Sequence, residues 1–68
     1  GEYLMMSLRL AEGTDLARYA WLAGQRLPMT RVAALADLGL VETTEDRLRA
    51  TPAGRMVLNA VLRDLMVA

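Results

Sequence analysis

Three features of the 68 residues point to a mainly α-helical fold with a short β-hairpin set before its last helix. Apolar residues recur at helical three-and-four spacing in four separate segments. A polar turn, Thr43 to Asp46, separates two short runs of strand character. The hydrophobic share is 54% with no Phe, one Trp and two Tyr, so the core is built from Leu, Ala, Val and Met. That composition favours helices over a β-sandwich. Three helices, a two-stranded wing and a C-terminal helix, in that order, make a winged-helix-like plan, expected to be a single domain over residues 1–68. A body of this size buries only about 60% of the surface its unfolded chain exposes, so every apolar position matters.

The first helix is expected from Glu2 to Ala11, with Leu4, Met5, Leu8 and Ala11 along one face and Glu2 in the first turn, where the helix dipole favours an acid. Arg9 falls on the exposed side near the C-terminal end. Gly13 stops the helix, and Thr14 or Asp15 caps the next. Helix two is expected from Asp15 to Ala23, burying Leu16, Tyr19 or Ala20, and Leu22 or Ala23, and ending at Gly24. A surface aromatic can anchor a partner, but with so few aromatics Trp21 is expected to pack, and Tyr3 and Tyr19 with it.

Pro28 suits the first turn of helix three, which buries Val32, Leu35 and Leu38 before Gly39 supplies a left-handed C-terminal position. Leu40–Glu42 and Arg47–Thr51 read as the two strands of the wing. Thr51 followed by Pro52 starts the last helix: the hydroxyl accepts from free backbone amides, and proline fills a position whose amide would be unpaired. Gly54 in that first turn costs up to about 1 kcal/mol against alanine, which implies close backbone packing there. Val57 or Leu58, Val61, Leu62 and Leu65 form the buried stripe of this helix.

The chain has no Cys and no His. Within it there is accordingly no disulfide framework, thiol nucleophile, zinc finger or imidazole base. Eight Arg balance eight acids with no Lys, so no long-range field draws the domain to nucleic acid or an anionic membrane. Helix three offers Met29, Thr30, Arg31, Ala34 and Asp37 to its outer side, a poor set for reading base edges. The wing mixes Arg47 and Arg49 with Glu42, Glu45 and Asp46. A DNA-binding winged helix is thus the weaker alternative, and a protein-interaction or dimerisation module is a third.

The carboxylate neighbours Glu45 with Asp46, and Glu12 with Asp15, lie in polar turns, where acids are solvated or capping. Isolated glycines at helix edges make no phosphate loop. Met5 and Met66 are available to fill core gaps, whereas Met6, Met29 and Met56 lie off the main stripes and suit an adaptable surface. No apolar run reaches a membrane span and no signal-peptide pattern stands at the start, so a cytoplasmic protein is expected. Gly1, without an initiating Met, reads as a cloning scar ahead of a segment cut from a larger chain.

The string EYLMMSLRLAEGTDLARYAWLAG, with LADLGLVETTEDRLRATPAGRMVLNAVL after a short gap, resembles the C-terminal domain of the oxygen-independent coproporphyrinogen III oxidases, haem-chaperone-like members included. The most specific part is MMSLRLAEG joined to GLVE, RLRATPAGR and LNAVL. The resemblance implies a parent radical S-adenosylmethionine protein, whose barrel-like catalytic domain holds a [4Fe-4S] cluster and acts on a porphyrin substrate or handles haem. No catalytic, cofactor-binding or metal residue transfers to this chain, because the cluster cysteines are absent from it. Glu2, Leu8, Arg9, Gly13, Gly39, Leu40, Thr51 and Gly54 match the family pattern. Glu2 and Arg9 have the least structural explanation; with Met6, Trp21 and Met29 they are the candidate contacts to the catalytic domain.

Overall fold

The computed structural model describes residues 2–66; Gly1, read above as a cloning scar, lies outside them. Among the described residues there are five α-helices and three short strands: α1 Glu2–Ser7, β1 Thr14–Asp15, α2 Leu16–Ala23, α3 Met29–Asp37, β2 Val41–Thr43, β3 Arg47–Ala50, α4 Pro52–Met56 and α5 Leu58–Met66. The fold is mainly helical, as expected. The count differs in two places, a third strand and a divided last helix.

The third strand comes from the segment expected only to cap a helix. β1 pairs antiparallel with β3, placing Thr14 opposite Leu48 and Asp15 opposite Arg47, so that the sheet runs β1-β3-β2. Thr14 is fully buried, and its hydroxyl lies 2.6 Å from that of Ser7, which also donates to the Tyr3 carbonyl. Asp15 keeps the expected role: its carboxylate accepts from the Arg18 amide as the N-cap of α2. The capping residue and the strand residue are adjacent, which is why a capping pattern concealed the strand.

α1 ends at Ser7 instead of Ala11, because the chain turns there to reach β1. Leu10 donates to the Ser7 carbonyl and Gly13 to the Leu10 carbonyl, two successive tight turns. Gly13 has φ 74°, and a Cβ there would stand 2.5 Å from the Leu48 carbonyl oxygen. Glycine thus lets the turn press against β3. The shorter helix leaves Ala11 exposed and turns Met5 outward, 43% exposed, while Leu4 and Leu8 are fully buried.

Both C-terminal glycine signals are correct. Gly24 caps α2 in the left-handed region. At α3 the Gly39 amide donates to Ala36 and the Leu40 amide to Leu35, the paired bonds of a Schellman ending. That ending points Leu38 outward, 70% exposed, against the expectation that it packs; Val32 and Leu35 are buried as expected. Pro28 stands at the N-cap, one position before the helix proper. Leu27 before it is buried in the same core as Val32, and the two occupy the N′ and N4 positions of a hydrophobic staple. Leu22 and Ala23 are exposed, so α2 inserts Tyr19 fully and Leu16 partly.

β2 is shifted by one residue from the expected Leu40–Glu42, and β3 starts at Arg47 as expected but ends at Ala50, one residue short of Thr51. Val41 faces Ala50 and Glu42 faces Arg49. Alternation puts Leu48 and Ala50 inward and Arg47 and Arg49 outward. Thr51 caps α4 by accepting from the Gly54 amide, with Pro52 at the first helical position, as the sequence indicates. The close packing expected at Gly54 is also present: a Cβ there would overlap the Leu40 carbonyl oxygen and stand 2.8 Å from its carbon.

The last helix is not continuous. Val57 has φ −124° and ψ 36°, and its amide reaches back to the Gly54 carbonyl. Its own carbonyl accepts from Ala60 and Val61, which starts α5. Val61, Leu62 and Leu65 carry the buried stripe, with Leu58 partly buried and Val57 turned outward.

Candidate functional site

The five candidate contact residues are all exposed, and they do not converge on one hollow. Glu2 lines a concavity of about 310 Å³ between α1 and α2, with Tyr3, Tyr19 and Leu22. Met29 borders another, of about 370 Å³, beside Leu16, Arg26, Glu45 and Asp46. Met6 is 64% exposed on α1. Trp21 is 80% exposed on α2, which overturns the expectation that it packs. Tyr19, two residues earlier and so on the opposite side of α2, takes the core position, and Tyr3 is partly buried with its hydroxyl accepting from the Asp15 amide. Ten large apolar side chains in all stand exposed among the described residues, Met56 at 87% being the extreme.

Arg9 has a different setting. It lines a concavity of about 640 Å³ together with Arg55, Met56, Val57, Leu58, Asn59, Ala60 and Arg63. Its position follows from the turn after α1, which the Ala50 amide holds by donating to the Leu8 carbonyl. Arg55 comes from α4 and Arg63 from α5, and the break at Val57 sets the angle between them. No acidic residue lines this hollow.

Four of the other five arginines are engaged, and the fifth, Arg26, borders the concavity that Glu45 and Asp46 also line. Arg31 of α3 meets Asp64 of α5 at 3.1 Å. Arg49 meets Glu42 across the hairpin at 2.8 Å and donates to the Ala11 carbonyl. Arg47 lies 4.0 Å from Asp15. Arg18 sits over the Tyr3 ring, 5.8 Å from its centre, within cation–π range. Arg9, Arg55 and Arg63 enter no ion pair among the described residues. Overall neutrality therefore conceals an uncompensated basic hollow on one side.

Arg55 and Arg63 were not singled out from the sequence. They are eight residues apart, a spacing that would share a face on an unbroken helix. A search for cations without an acid three or four residues away would have raised both Arg55 and Arg63, since the acid next to Arg63, Asp64, is one residue away and pairs with Arg31.

Every buried side-chain nitrogen or oxygen among the described residues has a hydrogen-bond partner. The carboxylates are exposed or half-exposed, as expected from their turns. Among the described residues no group of His, Cys, Asp or Glu could hold a metal ion, so the donor set does not fit an iron–sulfur cluster. No helix among them is long and apolar enough to cross a membrane.

The described residues form a small, mainly helical domain with a three-stranded antiparallel sheet. Residues 2–57 match the family model of the HemN C-terminal domain, and the chain belongs to that family. Comparison with curated proteins and with solved structures finds no match. The family match takes in Arg9 and Arg55 and stops at Val57; Arg63 lies beyond it.

Proposed function

We propose that the chain is a non-catalytic accessory domain of an oxygen-independent coproporphyrinogen III oxidase-like radical S-adenosylmethionine protein, packing on the catalytic domain and helping to form its substrate side. The observation that carries this reading is the family match over residues 2–57. The reading also treats the architecture as winged-helix-like, with β2 and β3 as the wing and α3 in the position of a recognition helix. The parent would be a cytoplasmic protein whose S-adenosylmethionine and [4Fe-4S] cluster belong to the other domain, since this chain has no cysteine to offer.

The exposed Trp21, Met6, Met29 and Met56 support a docking role, because aromatic and methionine side chains are favoured interface anchors. The DNA-binding alternative gains nothing from the side chains. Arg31, the one cation of α3, is engaged by Asp64, and the hairpin arginines are engaged by Glu42 and Asp15.

The parent reading frame upstream of Glu2 decides the matter. It is expected to encode a CxxxCxxC cluster motif within a barrel-like domain, and an upstream region of another kind overturns the reading. In the full-length parent, Trp21→Asp is expected to lower porphyrinogen conversion while circular dichroism stays unchanged.

A further inference from the structure

We propose that the hairpin tip of one copy of this domain docks into the hollow lined by Arg9, Arg55 and Arg63 of a second copy. The chain as a whole is neutral, so three guanidinium groups in a hollow without acids are matched by acids left unpaired elsewhere. Two of these, Glu45 and Asp46, stand side by side in the turn between β2 and β3, exposed and in no ion pair among the described residues. They lie at the opposite end of β3 from the arginines: Ala50, the last residue of β3, holds the turn that carries Arg9, and α4 with Arg55 follows directly. A strand rises about 3.3 Å per residue, so the length of β3 keeps the acids from reaching the arginines of their own chain. A neighbouring copy can bring the two together.

Shape and apolar surface agree with the charge. The tip is a closed turn: the Thr44 amide donates to the Arg47 carbonyl, and the Leu16 amide donates to the Asp46 carbonyl, tying the turn to α2. The hollow is held by the seat of Gly54 against Leu40 and by the bond from Ala50 to Leu8. Two surfaces formed in advance lose little conformational freedom on meeting. The arginine fork takes a carboxylate through two parallel hydrogen bonds, and Asn59 on the same wall adds an amide donor. Half-exposed Met29 borders the same concavity as Glu45 and Asp46, while Met56 and Val57 stand exposed beside the guanidinium groups. Arg26 also borders the tip side, which leaves the acids there in excess by one charge. Tip and hollow are different surfaces, so the contact is heterologous and can extend beyond two copies. A turn seated in one hollow buries less than about 1,200 Å², the size of a weak, transient contact. A nucleic-acid strand needs a continuous basic track, and here the track stops, because Asp15 and Glu42 neutralise Arg47 and Arg49 on the hairpin.

The test is sedimentation of the chain at rising concentration, up to about 1 mM, where a weak contact is populated. The mean mass is expected to rise with concentration at low salt and to fall back as salt screens the charges. Arg55→Glu with Arg63→Glu, and separately Glu45→Arg with Asp46→Arg, are each expected to weaken association at least about 10-fold, one charge-assisted contact being worth roughly that factor. Arg18→Gln on α2 leaves it unchanged. Should a charge-reversed variant lose its circular dichroism, the neutral pairs Arg55→Gln with Arg63→Gln and Glu45→Gln with Asp46→Asn take its place, and must weaken association in the same sense. Because the chain has no cysteine, the geometry can also be trapped: a Glu45→Cys copy mixed with an Asn59→Cys copy is expected to form a mixed disulfide pair on mild oxidation, and an Ala33→Cys copy, exposed on α3, is expected to form none with Asn59→Cys. A chain that stays monomeric at about 1 mM in low salt, association that survives loss of either charged group, or a cross-link formed equally well from Ala33→Cys overturns the proposal. Duplex DNA or an acidic protein held by the arginines while the chain itself stays monomeric would assign the hollow to another partner and overturn it as well. The contact is read from this chain alone, so it and the accessory-domain reading, which the upstream reading frame tests, can fail separately.

Discussion

The hairpin edge and the α4–α5 side of this domain each carry arginines, and they use them in opposite ways. On the hairpin, Arg47 and Arg49 project from alternate positions of β3 toward acids on the neighbouring strands, so the charge is settled within the sheet. On the other side Arg9, Arg55 and Arg63 share a hollow with no acid. The frames beneath them differ too. β1, the sheet strand beside β3, is joined to α1 by a buried hydroxyl pair, Ser7 with Thr14, while α4 is seated by a direct backbone approach of Gly54 to Leu40. Charge that is internally balanced serves the fold, and charge left unbalanced on a rigid frame is available to something outside it.

The most severe way to break this comparison is Gly54→Val. The new side chain has no room against the Leu40 backbone, and overpacking of this kind costs about 3 kcal/mol or more. A 68-residue domain has a total stability of roughly 3 to 10 kcal/mol, so thermal unfolding followed by circular dichroism should show loss of most or all of the cooperative transition. A melting curve like that of the unaltered chain would mean that α4 is not seated where described.

Next in size is Ser7→Ala, which removes the partner of a fully buried Thr14 hydroxyl. The expected loss is about 1 to 2 kcal/mol, read from the urea midpoint. Thr14→Val in the same background should then add little, since the two hydroxyls serve one bond.

Smaller again is Glu42→Gln. Both partners of its ion pair with Arg49 are about half exposed, so the loss is expected to be about 0.2 to 1 kcal/mol at low salt and to shrink as salt screens the pair. Arg55→Gln should change stability least, within about 0.5 kcal/mol, with any low-salt shift toward greater stability because it relieves a like-charge group. If Glu42→Gln and Arg55→Gln moved the urea midpoint in the same direction with the same salt dependence, the contrast between settled and unsettled charge would be wrong.

The sequence announced features that depend on a single residue type in a fixed local geometry. Gly24 and Gly39 ended their helices, Thr51 with Pro52 began one, and Gly54 marked a close approach, because each effect is local and nearly independent of context. What it concealed depends on partners distant in the chain. β1 is two residues long and exists only because β3 is beside it. Leu38 and Trp21 are as apolar as their buried neighbours, and their exposure follows from a helix ending and from Tyr19 occupying the core. The basic hollow was hidden for a related reason. A net charge of zero is a sum over the chain, and it contains no information on which arginines find acids. Arg9 drew notice by itself, but Arg55 and Arg63 join it only after the chain folds back and the last helix breaks at Val57.

The exposed Trp21 also makes this domain its own reporter. It is the chain's only tryptophan and stands 80% open to water on α2, so intrinsic indole emission comes from one known point on the surface. Whatever covers α2 will replace water around that ring with protein and shift the emission to the blue, without any label being attached. A ligand confined to the hollow lined by Arg9, Arg55 and Arg63 should leave the emission maximum where it was. One spectrum can thus tell burial of the α2 face from occupation of the basic side.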